Sequence, residues 1–134
     1  MVELLAKHDV LALPFPEEYG GLGGHLYPVL LAIEELSRAS AAVGLILGVQ
    51  ELAALPLLHA GTDEQKQRWV PDLAAGKTLV AFGLTESGAG SDASSLRTSA
   101  VRDGDGWVLN GEKRFISQGD VASLVVIFAV TDTD

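Results

Sequence analysis

Three short stretches of this chain have residue types and spacings that could do chemistry. The first is 85–92, with the sequence TESGAGSD, which directly follows an apolar segment predicted to be a strand. Small residues after a strand let several backbone N–H groups point to one spot, and such a nest binds phosphate or another anion. The stretch lacks the Lys-Ser/Thr of a P-loop, and neither its glycine order nor the predicted strand after it fits a Rossmann turn. By itself, it predicts a surface turn more strongly than an anion site.

The second stretch is 115–119, with the sequence FISQG, at the predicted end of a hairpin strand. An exposed aromatic ring beside the hydroxyl of Ser117 would suit a flat ring ligand. The alternative is that Phe115 is half of a cross-strand core pair, and the residues alone favour that alternative.

The third source of chemistry is acid–base groups, which are scattered. The three histidines, His8, His25 and His59, are far apart, and no metal-ligand spacing is present. Glu34 and Glu35 fit a solvated helix face. Glu51 lies in an apolar helix, a setting that can perturb its pKa. The residues favour instead a buried, hydrogen-bonded structural carboxyl or a carboxyl at a subunit contact. Ser91 has no evident base, so a hydrolase triad is unsupported.

Helical periodicity extends to about Gly76 and predicts the elements that would support these groups. Helices are predicted at about 2–10, 26–38, 43–59 and 62–76, with a glycine-rich loop before the second. Thr62 and Gln65 have the spacing of a capping box, and Gly61 is expected to cap the preceding helix. Pro71 predicts an irregular turn.

After Gly76 the pattern becomes extended. Strands are predicted at 78–84, 96–102, 107–109, 113–116 and 121–130. The segment 103–106 (DGDG) is predicted to be a turn, and Asn110-Gly111 predicts a further hairpin. The fold class is therefore α+β, with a partial helical domain over 1–76 and an incomplete antiparallel β domain over 77–134.

Composition excludes several classes of function. The chain has 134 residues, a net charge of −9 and no cysteine. Such acidity argues against a nucleic-acid partner, and the lack of cysteine excludes a disulfide framework or thiolate zinc site. The apolar window 41–58 contains Gln50 and Glu51, which favours a buried helix over a membrane span. With no visible targeting segment, a cytoplasmic protein is expected, and the mitochondrial matrix stays open.

Four segments, in order, resemble the acyl-CoA dehydrogenase family. They are PEEYGGLGG at 16–24, GTDEQKQ at 61–67, LTESGAGSD at 84–92 and VLNGEKRFIS at 108–117. The resemblance covers nearly the whole chain. Phe82, Ser87, Phe115, Ser117 and Gln118 depart from the residues most common in the family, which leaves the subfamily open.

The resemblance implies an FAD site. Its cofactor-binding residues would be Phe82, Gly83, Leu84, Thr85, Gly90, Ser91, Phe115, Ile116 and Ser117. Thr85 would hydrogen-bond the edge of the isoalloxazine, and Phe115, Ile116 and Ser117 would flank the ring. Ser91 would contact the diphosphate or the acyl-CoA chain.

The resemblance also implies a reaction, and it implies that the catalytic base for that reaction is not in this chain. An acyl-CoA thioester would be oxidised to the 2,3-enoyl-CoA by α-proton abstraction and β-hydride transfer to FAD. The family's catalytic carboxylate lies in a C-terminal helical domain, so no catalytic residue is assigned here, and the chain is expected to be an inactive fragment. Implied partners are acyl-CoA, an electron-transfer flavoprotein or similar acceptor, and further copies in a dimer or tetramer. The alternatives are a non-catalytic remnant or binding module, and a flavin oxidase or monooxygenase of the same fold.

Overall fold

The computed structural model describes residues 1–131, in which helices precede strands. The helices are α1 (Val2–Lys7), α2 (Leu26–Ala39), α3 (Ala41–Ala60) and α4 (Asp63–Ala74). The strands are β1 (Val80–Gly83), β2 (Ser99–Asp103), β3 (Gly106–Asn110) and β4 (Leu124–Ile127). Short 3₁₀ turns lie at Val10–Ala12, Glu17–Tyr19 and Ala93–Ser95. This order confirms the predicted α+β class.

The start of α4 follows from local sequence. The Thr62 hydroxyl accepts from the N–H of Gln65 at 3.2 Å, and the Gln65 side chain accepts from the N–H of Thr62 at 2.9 Å. This capping box satisfies two N–H groups that the first turn leaves free. The irregular turn expected at Pro71 is wrong, because α4 continues through it while Val70 and Leu73 hold one face in the core.

Two expected helix ends differ in backbone geometry. The helix predicted over 2–10 ends at Lys7, because Asp9 takes a left-handed conformation (φ 57°) and a 3₁₀ turn begins after it. Gly61 does end α3, but with φ −68° rather than in the left-handed conformation expected of a glycine cap. Glycine is needed there because a Cβ would collide with the carbonyl of Leu57.

The helical core is packed around α3. One cluster joins Phe15, Ala53, Leu73 and Val80, so it connects α3 and α4 with β1. By length and composition alone α3 could cross a membrane. It packs against α2, α4 and β1, however, as a core helix does.

Gln50 joins α3 to the start of the β region. This side chain is fully buried, and its amide nitrogen donates to the carbonyls of Leu73 at 3.1 Å and Thr78 at 2.9 Å. Its amide oxygen accepts from the N–H of Val80 at 3.1 Å. One amide therefore satisfies three backbone groups, which makes its burial energetically tolerable.

The four strands form two separate pairs. β2 and β3 pair antiparallel across the turn predicted at 103–106. β1 and β4 run parallel, from Val80 opposite Leu124 to Gly83 opposite Ile127, which corrects the expectation of an antiparallel domain for this pair. Parallel strands need a long crossover, and the chain makes one through 84–123. Both strands are also shorter than the predicted 78–84 and 121–130.

The strand predicted over 113–116 and its hairpin at Asn110-Gly111 are wrong. The chain leaves β3 at Asn110, and Gly111 (φ 152°) passes so close to Thr98 that a Cβ would collide with it. The next residues turn back to the end of β1, where the N–H of Arg114 donates to the carbonyl of Thr85 at 2.8 Å. A hydrogen bond to the segment after β1 therefore takes the place of the expected pairing with β3.

Candidate functional site

The end of β1 supplies the first part of the site. Gly83 is buried, and Phe82, Leu84 and Thr85 are half-buried. The ring of Phe82 packs at 5.2 Å between centroids on Phe128, which follows β4. The pairing of β1 with β4 therefore holds the backbone that leads to Thr85.

A shallow cavity of about 100 Å³ brings together Phe82, Phe115 and Ser117 with Val49 and Leu52 of α3. Three of the nine residues expected to bind a cofactor thus share one depression between a helix and two β-region segments. Val49 and Leu52 were not predicted to be site residues. Their spacing of three residues on α3 places them on the same helix face, and this was the signal in the sequence.

Phe115 is 90% exposed. The favoured alternative from the residues alone, a cross-strand core pair, is therefore wrong. Its backbone is left-handed (φ 58°), which is unusual for a bulky residue and costs energy. Ile116 and Ser117 follow it half-buried. An exposed aromatic ring on a strained backbone contributes little to the stability of the fold. Beside a hydroxyl, such a ring is suited to binding a flat ligand.

The small-residue loop after Thr85 folds back on itself. Glu86 and Ala89 exchange two backbone hydrogen bonds, of 3.0 and 3.3 Å. Positions 88 and 90 have open space where a Cβ would be, and Gly90 and Ser91 are exposed. Neither glycine has a positive φ, so these residues allow close approach rather than forming a left-handed turn. Gly90 and Ser91 do not line the cavity around Phe115.

A buried charged pair joins the segment after β1 to the segment that precedes Phe115. The ammonium of Lys113 lies 2.8 Å from Oε1 of Glu86, and the two side chains are only 7% and 10% exposed. Donation from Lys113 lowers the pKa of Glu86 to about 2, with further donation from Thr98 and from the N–H of Arg97. At neutral pH this carboxylate is ionised and fully engaged, so it is not a candidate general base.

Other acidic groups are also explained by local contacts. Donation from Ser94 and Ser95 lowers the pKa of Asp92, and donation from Ser87 does so for Glu112. Burial raises the pKa of Glu51, as expected from its apolar helix. Glu34 and Glu35 are exposed, as predicted. Among residues 1–131, no group of three His, Asp or Glu side chains could hold a metal ion.

Family models match almost the whole chain. The acyl-CoA dehydrogenase N-terminal domain matches residues 1–77, and the acyl-CoA dehydrogenase middle domain matches residues 81–134. An acyl-CoA dehydrogenase of Bacillus subtilis is 44% identical over 135 aligned positions, which cover 100% of this chain and 36% of that protein.

Solved structures agree. The chain is similar to one described as an electron transferring flavoprotein of Acidaminococcus fermentans, with a TM-score of 0.92 and 42% identity over 98% of this chain and 35% of that one. It is also similar to a Mycobacterium smegmatis glutaryl-CoA dehydrogenase in complex with FADH2, with a TM-score of 0.90 and 34% identity over 98% of this chain and 34% of that one. The chain thus spans about a third of the length of these relatives. From two matching domains, in order, on the fold described above, we conclude that the chain belongs to the acyl-CoA dehydrogenase family.

Proposed function

We propose that the cavity between α3, β1 and the segment 115–117 receives the isoalloxazine ring of FAD. The observation that carries this proposal is the exposed ring of Phe115, on a left-handed backbone, in the same cavity as Ser117 and Phe82. Val49 and Leu52 of α3 add apolar side chains to the lining, against which a flat ring would pack. The complex of FADH2 with a related dehydrogenase is consistent with this cofactor.

The remaining residues have separate roles in this proposal. The backbone of Gly83 and Leu84 lies along the edge of the isoalloxazine ring, and the Thr85 hydroxyl donates a hydrogen bond to that edge. Donors there stabilise negative charge on the ring as it accepts a hydride, which is the chemistry FAD supplies when bound. Gly90 and Ser91, exposed on the open loop, contact the diphosphate, and Ser91 also contacts the acyl-CoA chain.

For the whole protein we propose an FAD-dependent acyl-CoA dehydrogenase that forms the 2,3-enoyl-CoA. By the resemblance to the family, the base that removes the α-proton lies outside these 134 residues, and the loop carboxylates Glu86 and Asp92 are engaged by local hydrogen bonds. An electron-transfer flavoprotein or similar carrier takes the electrons, and the protein is a homodimer or homotetramer of the cytoplasm or mitochondrial matrix. We therefore propose that the 134-residue chain alone does not dehydrogenate acyl-CoA, and turnover with an artificial electron acceptor would contradict this.

A hydroxyl-deletion pair tests the site. In the complete gene product, Thr85→Ala with Ser91→Ala is expected to weaken FAD binding about 10-fold or more, because two hydrogen bonds of about 1 kcal/mol each are lost. The measurement is titration of flavin fluorescence, with flavin content after desalting as a second readout.

Thr78→Ala with Ser123→Ala is the matched control, since it removes a half-buried threonine hydroxyl and an exposed serine hydroxyl of the same region outside the site. FAD affinity equal to that of the wild type in the Thr85/Ser91 variant would refute these roles. Oxygen consumption with an acyl-CoA substrate separates an oxidase from a dehydrogenase.

A further inference from the structure

Two segments that meet at the cavity are bound together by three consecutive contacts. The ammonium of Lys113 donates to the carbonyl of Leu84 at 3.0 Å and to the carboxylate of Glu86 at 2.8 Å. Between them, the N–H of Arg114 donates to the carbonyl of Thr85 at 2.8 Å. The segment 113–114 is thus attached to each of residues 84, 85 and 86.

A third segment joins the same carboxylate. Glu86 accepts from the N–H groups of Arg97 at 2.7 Å and Thr98 at 2.8 Å. Its two oxygens therefore receive one ammonium and two backbone donors in a site almost closed to water. Burying a carboxylate is tolerable only with such a full set of partners, and loss of one partner leaves an uncompensated charge.

The pair is placed to orient the cavity without lining it. Thr85 lies between the two residues that Lys113 binds, and Phe115 follows Arg114 directly in the chain. The side chains that border the cavity are those of Val49, Leu52, Phe82, Phe115 and Ser117, so neither charge faces it. A strained residue such as Phe115 keeps its conformation only when its surroundings over-determine it, and the bonds at 113 and 114 do so.

From this we infer that Glu86 and Lys113 are positioning residues of the flavin site. Their ion pair sets the separation between the Thr85 hydroxyl and the ring of Phe115, and thereby the fit of the isoalloxazine. This inference rests on the FAD site proposed above.

The chain contains matched controls for both charges. Glu112 and Arg114 form a second ion pair on the same segment, at 3.3 Å, with side chains 65% and 56% exposed. Glu112→Gln makes the same charge change as Glu86→Gln, and Arg114→Gln makes the same change as Lys113→Gln. Arg114→Gln also keeps the backbone N–H that binds Thr85.

The experiment compares these four variants with the wild type as complete gene products. FAD affinity per folded molecule is measured by fluorescence titration, the bound flavin by its visible absorption spectrum, and the folded fraction by circular dichroism. Glu86→Gln and Lys113→Gln are expected to weaken FAD about 10-fold or more, the scale typical of residues that orient direct ligand contacts, and to shift the bound spectrum. The controls are expected to stay within about 3-fold with an unchanged spectrum.

Each other outcome is decisive. Wild-type affinity and spectrum in Glu86→Gln and Lys113→Gln would overturn the inference and leave the FAD site standing. Equal losses in all four variants would show that the effect is not specific to the buried pair and would overturn the inference as well. Absence of FAD binding by the wild type would instead refute the proposed function itself. If Glu86→Gln does not fold, the FAD affinity of the folded fraction of Lys113→Gln decides the matter, because Glu86 there keeps its bonds to Arg97 and Thr98.

Discussion

Phe82 and Phe115 are both aromatic residues of the proposed site, yet the structure uses them differently. Phe82 is half-buried and packs on Phe128, whereas Phe115 is 90% exposed. Neighbouring charges differ in the same way, since Glu86 is enclosed and Glu112 faces solvent. Residue type alone could not have separated the members of either pair, because burial is decided by which segments converge on them.

The two phenylalanines should respond differently to truncation. Phe115→Ala is expected to change the free energy of unfolding by less than about 0.5 kcal/mol, because the ring makes little contact with the folded chain. It should nevertheless weaken FAD binding.

Phe82→Ala is the comparison, with an expected loss of about 2 kcal/mol because a half-buried, paired ring is removed. Urea unfolding and flavin titration check both. A large loss of stability in Phe115→Ala would show that the ring belongs to the core after all.

Glu86 predicts a pH dependence of stability. Its pKa falls from 4.5 to about 2 in the folded chain, chiefly through Lys113, so the folded state binds fewer protons than the unfolded state between these values. The stabilisation is therefore complete above pH 4.5 and is lost as the pH falls toward 2.

The difference in unfolding free energy between wild type and Glu86→Gln should be constant above about pH 5 and shrink below it. Urea unfolding at several pH values measures this difference. Glu34→Gln, on the exposed face of α2, is the control. A difference that grows on acidification would contradict the assignment of an ionised, paired Glu86.

The helices were more predictable than the strands. Capping at Thr62 and Gln65 and the apolar period of α2 are local signals, and both appear where they were expected. Strand partners are not local. Asn110-Gly111 has the composition of a hairpin turn, but the neighbouring glycine turn at 103–106 forms the hairpin, and Gly111 serves a close approach to Thr98.

The junction of α3 with β1 contains one buried polar side chain beside its apolar cluster. Gln50 reads in the sequence as an interruption of an apolar helix, and only the fold shows its three backbone partners. Gln50→Leu is expected to destabilise the chain by about 3 kcal/mol, since buried groups lose their partners.

Thermal or urea unfolding measures the effect of Gln50→Leu. Gln67→Leu, at an exposed position of α4, is the control and should be nearly neutral. A stability of Gln50→Leu equal to that of the wild type would mean that this junction is held by apolar packing alone.

The molecule as a whole is two-part. A helical core surrounds α3, while the β2–β3 hairpin is exposed along β3, including Trp107, Val108 and Leu109. A two-stranded hairpin is marginal by itself, so packing around β1 and the helices must supply most of the stability. The proposed flavin cavity lies where the two parts meet, which is why it combines side chains from α3 with side chains from two β-region segments.

The sequence by itself determined the α+β order, the capping box that begins α4, the acidic character and the family, because these depend on composition, short-range spacing and motif order. Tertiary structure decided the parallel β1–β4 pair, the exposure of Phe115, the joining of Glu86 to Lys113 and the role of Gln50. Each of these depends on contacts between residues at least 23 positions apart or on burial that several segments create together. A local sequence pattern does not identify such partners, because many residues of the same type elsewhere in the chain would fit the pattern equally well.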